Sequence, residues 1–152
     1  MRKSLPSDLG RQIRRSRDRG QTLRMLTTYY DGNGKKANPR TLDLSHVSDF
    51  RRNVYKALCE IPLGKVTTYG AIAEKVGGKR YARAVGTAVA TNPLPLIVPC
   101  HRVVPSSLRV GNYGMGGRNP STGGYMKRRL LEREGVKFQG DKVSKGSTWI
   151  SP

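Results

Sequence analysis

The stretch between residues 48 and 93 alternates short amphipathic segments with helix-breaking residues, and this pattern limits the possible folds more than any other feature. Apolar side chains recur there at the three- and four-residue spacing of a helix. The first segment predicts a helix that begins after the capping residue Ser48 and ends before Pro62. Its apolar face consists of Phe50, Val54, Ala57, Leu58 and Ile61, and its opposite side carries Arg51, Arg52, Lys56 and Cys59.

Two further helices are predicted after the first. A short extended segment ends at Thr68, which can cap a helix from Tyr69 to Val76 that stops at Gly77-Gly78. A third helix is predicted from Lys79 to about Thr91, because Pro93 breaks the pattern. Two short helices joined by a tight glycine turn are typical of a helix-turn-helix with a basic recognition helix, although any small helical core has the same pattern. The apolar side of the third helix comprises Ala82, Val85, Gly86 and Val89, and another side carries Arg80, Arg83 and Thr87.

A last helix is predicted from about Thr122 to Glu134, ending at Gly135. Lys127 and Glu134 lie on the face that this helix buries with its leucines, and a carboxylate on an apolar face needs a partner. The alternatives are an ion pair at the helix end and His101. The loop before the helix is rich in glycine, and the tail is predicted to form two extended pieces with Trp149 as a packing anchor. These glycines are Gly111, Gly114, Gly116, Gly117, Gly123 and Gly124, and the tail turns at Gly140-Asp141.

The charge of the chain indicates a polyanionic partner. The 29 Lys and Arg residues outnumber the 10 Asp and Glu residues, for a net charge of +19. Such a field favours nucleic acid first and an anionic membrane surface second. Residues 1–40 hold 11 Lys or Arg and 3 Asp, and this run is either a solvated arm or a contact to phosphates. No apolar stretch has the length of a membrane span, and the N-terminal residues do not resemble a secretory signal.

Pro99-Cys100-His101-Arg102-Val103 places a thiol beside an imidazole, directly after the apolar run Leu94 to Val98. A Cys in a basic neighbourhood is a candidate nucleophile, because nearby positive charge favours the thiolate. Neighbouring side chains of an extended segment point to opposite faces, so a bridging water is the expected relay between the two groups. The alternative is a buried structural Cys beside a His that satisfies backbone groups. Two Cys give no disulfide framework, which fits a reducing cytoplasm, and the soft ligands His46, Cys59, Cys100 and His101 lack the local pairs of a zinc site.

From about Leu42 to Gly135 the chain resembles the O6-alkylguanine-DNA alkyltransferases, the self-inactivating DNA repair proteins. The Pro99–Val103 pentapeptide matches the active-site motif of that family. Five further segments match in order: Gly64-Lys65-Val66-Thr67-Thr68-Tyr69, Arg83-Ala84-Val85-Gly86, Asn92-Pro93, Gly111-Asn112-Tyr113, and Leu130-Leu131-Glu132-Arg133-Glu134-Gly135.

The resemblance implies a role for each matching site residue. Cys100 would accept the alkyl group, His101 would take the thiol proton through a water, and Glu134 would orient the imidazole. Asn92 would brace the active-site turn, and Lys127 would lie near the sulfur or the leaving base. Tyr69 would donate a hydrogen bond to the flipped guanine, and the backbone around Val103 and Gly114 would read the guanine edge. The implied base pocket is Tyr69, Val103, Gly111, Asn112, Tyr113 and Gly114.

The resemblance also implies a DNA surface and a fold. Arg83 would enter the base stack and fill the gap left by the extruded nucleotide, and small residues would let the recognition helix approach the minor groove closely. The implied DNA-binding residues are Thr68, Arg80, Ala82, Arg83, Ala84, Gly86, Thr87 and Arg102, with Ala88 as a further small residue. The expected fold is α+β, with a reduced basic N-terminal region (1–45) and a winged-helix-like alkyltransferase domain (46–152).

The expected function is irreversible, single-turnover transfer of the alkyl group from O6-alkylguanine in double-stranded DNA to Cys100. The expected protein is a cytoplasmic monomer that uses no cofactor and no metal and binds no membrane. Two alternatives remain at this point. One is a binding module that recognises the lesion without transfer, and the other is a general basic DNA-binding protein, which the charge alone would favour.

Overall fold

A computed structural model of the chain describes residues 44–111 and 120–150, with side chains in the last helix described from residue 123 onward. The predicted α+β class is confirmed. Most of the predicted region 1–45 lies outside the described residues, as do Asn112, Tyr113 and Gly114. In chain order the elements are α1 (Asp49–Glu60), β1 (Thr67–Thr68), α2 (Tyr69–Val76), α3 (Ala82–Ala90), β2 (Val103–Val104), α4 (Pro120–Arg133), β3 (Phe138–Gln139) and β4 (Lys142–Val143), with 3-10 turns at Lys79–Tyr81, Cys100–Arg102 and Lys145–Ser147.

Helix α1 forms where the amphipathic pattern predicts it. The hydroxyl of Ser48 caps its first turn by accepting from the Arg51 N–H at 3.4 Å, and extended backbone at Ile61 ends it before Pro62. The placement of Cys59 on the polar side was wrong, because this residue is only 6% exposed. The buried face is therefore wider than the spacing of the apolar residues suggests. It also includes Tyr55, which is fully buried.

Helices α1, α2 and α3 pack against one another, and a short turn that includes Gly77 and Gly78 separates α2 from α3. Thr68 caps α2 as predicted, with its hydroxyl accepting from the Ala71 N–H at 3.2 Å, and α2 ends at Gly77. The predicted third helix is shorter than expected, since residues Lys79–Tyr81 form a 3-10 turn and α3 begins at Ala82. Ala88 lies on the buried side of α3 and has no solvent exposure, so its placement among the residues that approach DNA was wrong.

A short parallel pairing of β1 with β2 joins the helical part to the active-site segment. Thr67 pairs with Val103 and Thr68 with Val104. The tail covers the other side of this pair: the Val66 N–H donates to the Ser147 carbonyl at 2.9 Å, and the Trp149 N–H donates to the Val66 carbonyl at 2.7 Å. A small core beneath these strands consists of Val66, Val104, Leu131, Val136 and Val143.

Helix α4 begins two residues earlier than predicted, at Pro120, and Gly123 and Gly124, which were counted with the glycine-rich loop as well as within the predicted helix, belong to the helix. It ends as predicted before Gly135, whose φ of +90° is the left-handed conformation that favours glycine. The two extended pieces of the tail form the antiparallel hairpin β3–β4, which turns at Gly140 with φ +62°. Within residues 44–111 and 120–150, no helix has both the length and the apolar character needed to cross a bilayer.

Candidate active site

The turn that carries Cys100 is held by the side chain of Asn92. The Asn92 amide donates to the Val98 carbonyl at 2.9 Å, and its oxygen accepts from the Leu94 N–H at 3.0 Å. The Cys100 N–H donates to the same Val98 carbonyl at 2.7 Å. Within this loop Leu96 has a φ of +73°, a conformation that costs a non-glycine residue roughly 1–2 kcal/mol. The chain therefore places the thiol on a tightly constrained turn.

Residues Cys100–Arg102 form a 3-10 turn rather than the extended segment that the sequence pattern suggested. In a 3-10 turn consecutive side chains do not alternate between opposite faces as they do in a strand. As a result Cys100, His101 and Arg102 are all buried. This turn packs against helix α4, which carries Lys127 and Glu134.

Cys100 is only 5% exposed. The charge of its thiolate acts on the ammonium of Lys127 and on the phenols of Tyr69 and Tyr55. Burial raises the pKa of Tyr69 above its usual value, and the negative charge at Cys100 adds to that rise. A nearby ammonium favours the anionic form of a thiol.

His101 and Glu134 form a buried pair. The His101 Nε2 atom lies 2.7 Å from Glu134 Oε1, and the imidazole has no solvent exposure. Burial lowers the pKa of His101 below its usual value; contact with Glu134 opposes this shift, and the charges of Arg102 and Lys127 reinforce it. For Glu134 burial alone would raise the pKa, but the hydrogen bonds and charges of His101 and Arg102 outweigh burial and bring it to about 2. At neutral pH the pair is therefore a carboxylate beside a neutral imidazole.

These protonation states fix the tautomer of the ring. An ionised carboxylate can only accept hydrogen bonds, so the His101 Nε2 atom, which faces Glu134, carries the proton. The lone pair of the neutral ring is then on Nδ1. Since Nε2 faces Glu134, Nδ1 is the nitrogen of this ring that could accept a proton. A thiol, an imidazole and a carboxylate can act together as a nucleophile, a base and a group that orients the base.

Arg102 lies inside the site and not on the DNA surface that the resemblance implied, so that assignment was wrong. Its Nε donates to Glu134 Oε2 at 2.8 Å and its Nη2 to Glu134 Oε1 at 3.0 Å. Its Nη1 donates to the Ile61 carbonyl at 2.8 Å, which ties the site to the end of α1. The sequence left open whether the partner of Glu134 is His101 or a cation at the helix end. Glu134 has both partners, since it contacts His101 and also forms an ion pair with Arg102.

Lys127 lies on the inner face of α4, as its spacing predicted. Its ammonium is almost fully buried and donates to the Val103 carbonyl at 2.6 Å. Burial lowers its pKa to about 8, although the Cys100 thiolate works in the opposite direction. The bond to Lys127 occupies the Val103 carbonyl, a backbone group of the implied base pocket. Gly111, another pocket residue, packs against Pro105.

Two residues near the site were not identified from the sequence. Tyr55 interacts electrostatically with Cys100, and its hydroxyl donates to the Ala88 carbonyl at 3.0 Å, so it connects α1 to the end of α3. Gly64 packs against the backbone of Glu134. Tyr55 lies outside the apolar face that the spacing defines, so the pattern gave no signal for its burial, and no sequence pattern indicates the contact between Gly64 and Glu134.

Replacement of Gly64 by alanine is expected to lower the free energy of unfolding by about 1–3 kcal/mol. Gly64 has a φ of +77°, and a Cβ atom there would lie 3.0 Å from the Glu134 carbonyl oxygen. Gly135→Ala is the matched control, because Gly135 also has a positive φ but an added Cβ contacts nothing within 4 Å. Urea unfolding of both variants separates backbone strain from crowding. Equal losses in the two variants would contradict the inferred collision with Glu134.

Apart from Arg102 and Ala88, the residues implied to contact DNA are not buried. Arg80, Arg83, Ala84 and Thr87 are exposed, and Thr68, Ala82 and Gly86 are half-buried. Arg83 lies in the first turn of α3 with no acidic residue in that turn. Among the described residues, no group of three or more His, Cys, Asp or Glu side chains could hold a metal ion.

Comparisons with known proteins identify relatives of this chain. A family model described as the DNA-binding domain of 6-O-methylguanine DNA methyltransferase matches residues 49–136. The methylated-DNA–protein-cysteine methyltransferase of Mycobacterium tuberculosis (strain ATCC 25618 / H37Rv) is 45% identical over 94 residues, which cover 62% of this chain and 53% of that protein. That of Saccharolobus islandicus (strain L.S.2.15 / Lassen #1) is 43% identical over 113 residues, covering 74% and 67%. The chain thus spans about half the length of its mycobacterial relatives.

Two solved structures that contain DNA are also similar. The M. tuberculosis OGT in complex with DNA superposes with a TM-score of 0.60 at 36% identity, covering 76% of this chain and 65% of that one. S. pombe Atl1 in complex with damaged DNA containing O6-carboxymethylguanine superposes with a TM-score of 0.56 at 37% identity, covering 68% of this chain and 96% of that one.

Proposed function

Because the chain belongs to the 6-O-methylguanine DNA methyltransferase family, we propose that it repairs O6-alkylated guanine in double-stranded DNA by transferring the alkyl group to its own Cys100. The observation that carries this proposal is the geometry around the thiol. Cys100 lies on a braced turn, its thiolate interacts electrostatically with the Lys127 ammonium, and an ionised Glu134 orients the neutral imidazole of the neighbouring His101. This is the arrangement that nucleophilic attack by a thiolate requires.

The transfer begins with loss of the thiol proton to His101 Nδ1 through a water molecule. Glu134 accepts the hydrogen bond from Nε2 and stabilises the resulting imidazolium. The thiolate then attacks the alkyl carbon, so that a carbon–sulfur bond forms as the bond between this carbon and guanine O6 breaks. The guanine leaves with the bonding electrons and takes up a proton, for which Tyr69 and Lys127 are the acidic groups beside Cys100. The product is a thioether that these residues cannot cleave, so each molecule acts once.

The reactive carbon is attached to a base inside the duplex, so the nucleotide has to rotate out, at a cost of roughly a few kcal/mol. The helix-turn-helix supplies the surface for this step. Arg83 is exposed at the start of α3 and can fill the vacancy while staying near phosphates. The small residues Ala82, Ala84 and Gly86 allow close approach to the minor groove. In this interpretation the hairpin β3–β4 is the wing of a winged-helix domain.

The proposal extends to the surroundings of the site and to the working form of the protein. The base pocket comprises Tyr69, Val103 and Gly111, together with Asn112, Tyr113 and Gly114 outside the described residues. We further propose that a basic region over 1–45 precedes the alkyl-acceptor domain over 46–152, and that the protein acts as a monomer in the cytoplasm. Sequence preference should be weak, because phosphate contacts supply affinity without base information.

Incubation with a duplex that contains one O6-methylguanine should add the mass of one methyl group to Cys100 and none elsewhere. Intact-protein mass spectrometry followed by peptide mapping measures this gain, and the oligonucleotide should lose the same mass. Cys100→Ala is the control that removes the acceptor. An unmodified folded protein after exposure to excess methylated duplex would contradict the proposal.

A second candidate function is recognition of the lesion without transfer. The similarity to S. pombe Atl1, solved with DNA containing O6-carboxymethylguanine, favours it. The two functions differ in the same mass measurement. Tighter binding to methylated than to plain duplex, with no gain of mass at Cys100, would support recognition alone. Equal binding to both duplexes would indicate a general DNA-binding protein.

Replacement of Gly86 by alanine is expected to stabilise the fold and weaken DNA binding. Gly86 lies inside α3, and an added Cβ contacts nothing within 4 Å, so the helix should gain about 0.5–1 kcal/mol. The same methyl group would project from the surface that approaches the DNA backbone. Thermal unfolding and duplex titration measure the two effects. Asn53→Ala on the exposed side of α1 is the control, and undiminished duplex affinity in Gly86→Ala would contradict close approach by α3.

A further inference from the structure

The ring of Tyr81 is fixed between α1 and the turn of the helix-turn-helix. Its centroid lies 5.7 Å from that of Phe50 on α1, at an interplanar angle of 43°. On another side it packs over the backbone of Gly77, where an added Cβ atom would lie 3.1 Å from Tyr81 Cε2. Its own N–H donates to the Gly78 carbonyl at 3.0 Å. Tyr81 therefore has little freedom to move at the position where the recognition helix begins.

The exposed guanidinium of Arg80 contacts the Tyr81 side chain. Arg80 Nη2 donates to the Tyr81 hydroxyl at 3.2 Å, and the guanidinium carbon lies 5.0 Å from the ring centroid. A guanidinium has five N–H donors, so most of them stay available for an anion after this bond is made. Arg80 is the residue before Tyr81 in the 3-10 turn, three positions from Arg83. The chain thus presents a pre-oriented cation beside the residue proposed to enter the base stack.

We propose that Tyr81 is a positioning residue for DNA binding, which holds Arg80 in the conformation that contacts a phosphate next to the extruded nucleotide. This inference depends on the proposed function, since it assigns a device within the same DNA surface. A free arginine loses rotamer entropy when it binds, and a side chain held in advance avoids much of that loss. Loss of the Tyr81 hydroxyl should therefore weaken duplex binding by about 3- to 10-fold.

The test measures affinity for a short undamaged duplex, on which no alkyl transfer occurs, for the full chain and its variants. Tyr81→Phe keeps the ring against Phe50 and Gly77 but removes the acceptor for Arg80. It should weaken binding while leaving the salt dependence unchanged, because the charge is still present. Arg80→Ala should reduce the slope of log affinity against log salt by about one. Gly77→Ala, which displaces the ring but keeps the hydroxyl, should also weaken binding.

The double variant decides between positioning and simple packing. In the Arg80→Ala background Tyr81→Phe should have no further effect on affinity, because the group it positions is gone. At saturating methylated duplex the rate of alkyl transfer should be the same for Tyr81→Phe and the unmodified sequence. Unchanged affinity in Tyr81→Phe, or an equal loss in the Arg80→Ala background, would overturn this role and leave the proposed function intact. Absence of duplex binding by the unmodified sequence would overturn both.

Discussion

Replacement of Glu134 by glutamine is expected to slow alkyl transfer by about 10²- to 10⁴-fold at neutral pH, the range that general-base assistance usually supplies. The carboxylate accepts from His101 Nε2 and thereby sets the tautomer in which Nδ1 can take the thiol proton. A neutral amide can neither stabilise the imidazolium nor enforce that tautomer. The rate is measured in a single turnover with excess methylated duplex, at a temperature where the variant is folded.

The same substitution should lower the free energy of unfolding by about 3–5 kcal/mol, since it leaves the Arg102 guanidinium buried without a counter-charge. Arg102 is 7% exposed, and Glu134 is the anion that it contacts. A control is therefore needed to separate the loss of folding stability from the loss of alkyl-transfer rate.

Arg102→Leu is the control for Glu134→Gln. It breaks the same ion pair and should cost a comparable free energy of unfolding, but it leaves the carboxylate on His101. Transfer by folded Arg102→Leu should stay within about tenfold of the unmodified rate, well below the loss expected from removal of a general base. If both variants lose rate equally, the effect comes from disruption of the turn, and the proposed role of Glu134 in the proton transfer is wrong.

The sequence predicted the helices well because their signals are local. Ser48 and Thr68 cap helices as expected, and Gly135 ends one at a positive φ. The errors lie at the edges of amphipathic faces. Cys59 and Ala88 are small enough to fit on either side of a helix, so their burial depends on how neighbouring helices pack, which periodicity does not specify.

Arg102 shows why the site could be predicted only in part. An arginine in a strongly basic chain is expected at the surface, and a strand-like segment would have pointed it away from His101. The 3-10 turn instead directs both side chains toward α4. Glu134 could be paired with His101 from the motif, but a second partner for the same carboxylate depends on the conformation of the turn. The contact between Gly64 and the Glu134 backbone joins residues far apart in sequence and has no local signal.

Acid should destabilise this fold progressively as the pH falls from about 6.5 toward 2. The pKa of Glu134 is about 2 in the folded protein against 4.5 ordinarily, so the unfolded chain binds more protons at this residue between those values. The stability that Glu134 contributes is complete above about pH 4.5 and is lost as the pH falls through its folded pKa. It amounts to about 3 kcal/mol.

His101 acts in the same direction at higher pH. Burial lowers its pKa in the fold, so the unfolded chain takes up its proton first, below the ordinary pKa of about 6.5. Urea unfolding at a series of pH values should show losses in both windows. His101→Gln should remove the loss between about pH 6.5 and 4.5, whereas Asn53→Ala, which replaces an exposed uncharged side chain of α1, should keep the whole profile. A flat profile in the unmodified sequence would mean that the folded protein does not hold Glu134 ionised and His101 neutral. The mechanism that requires a neutral imidazole would then be wrong.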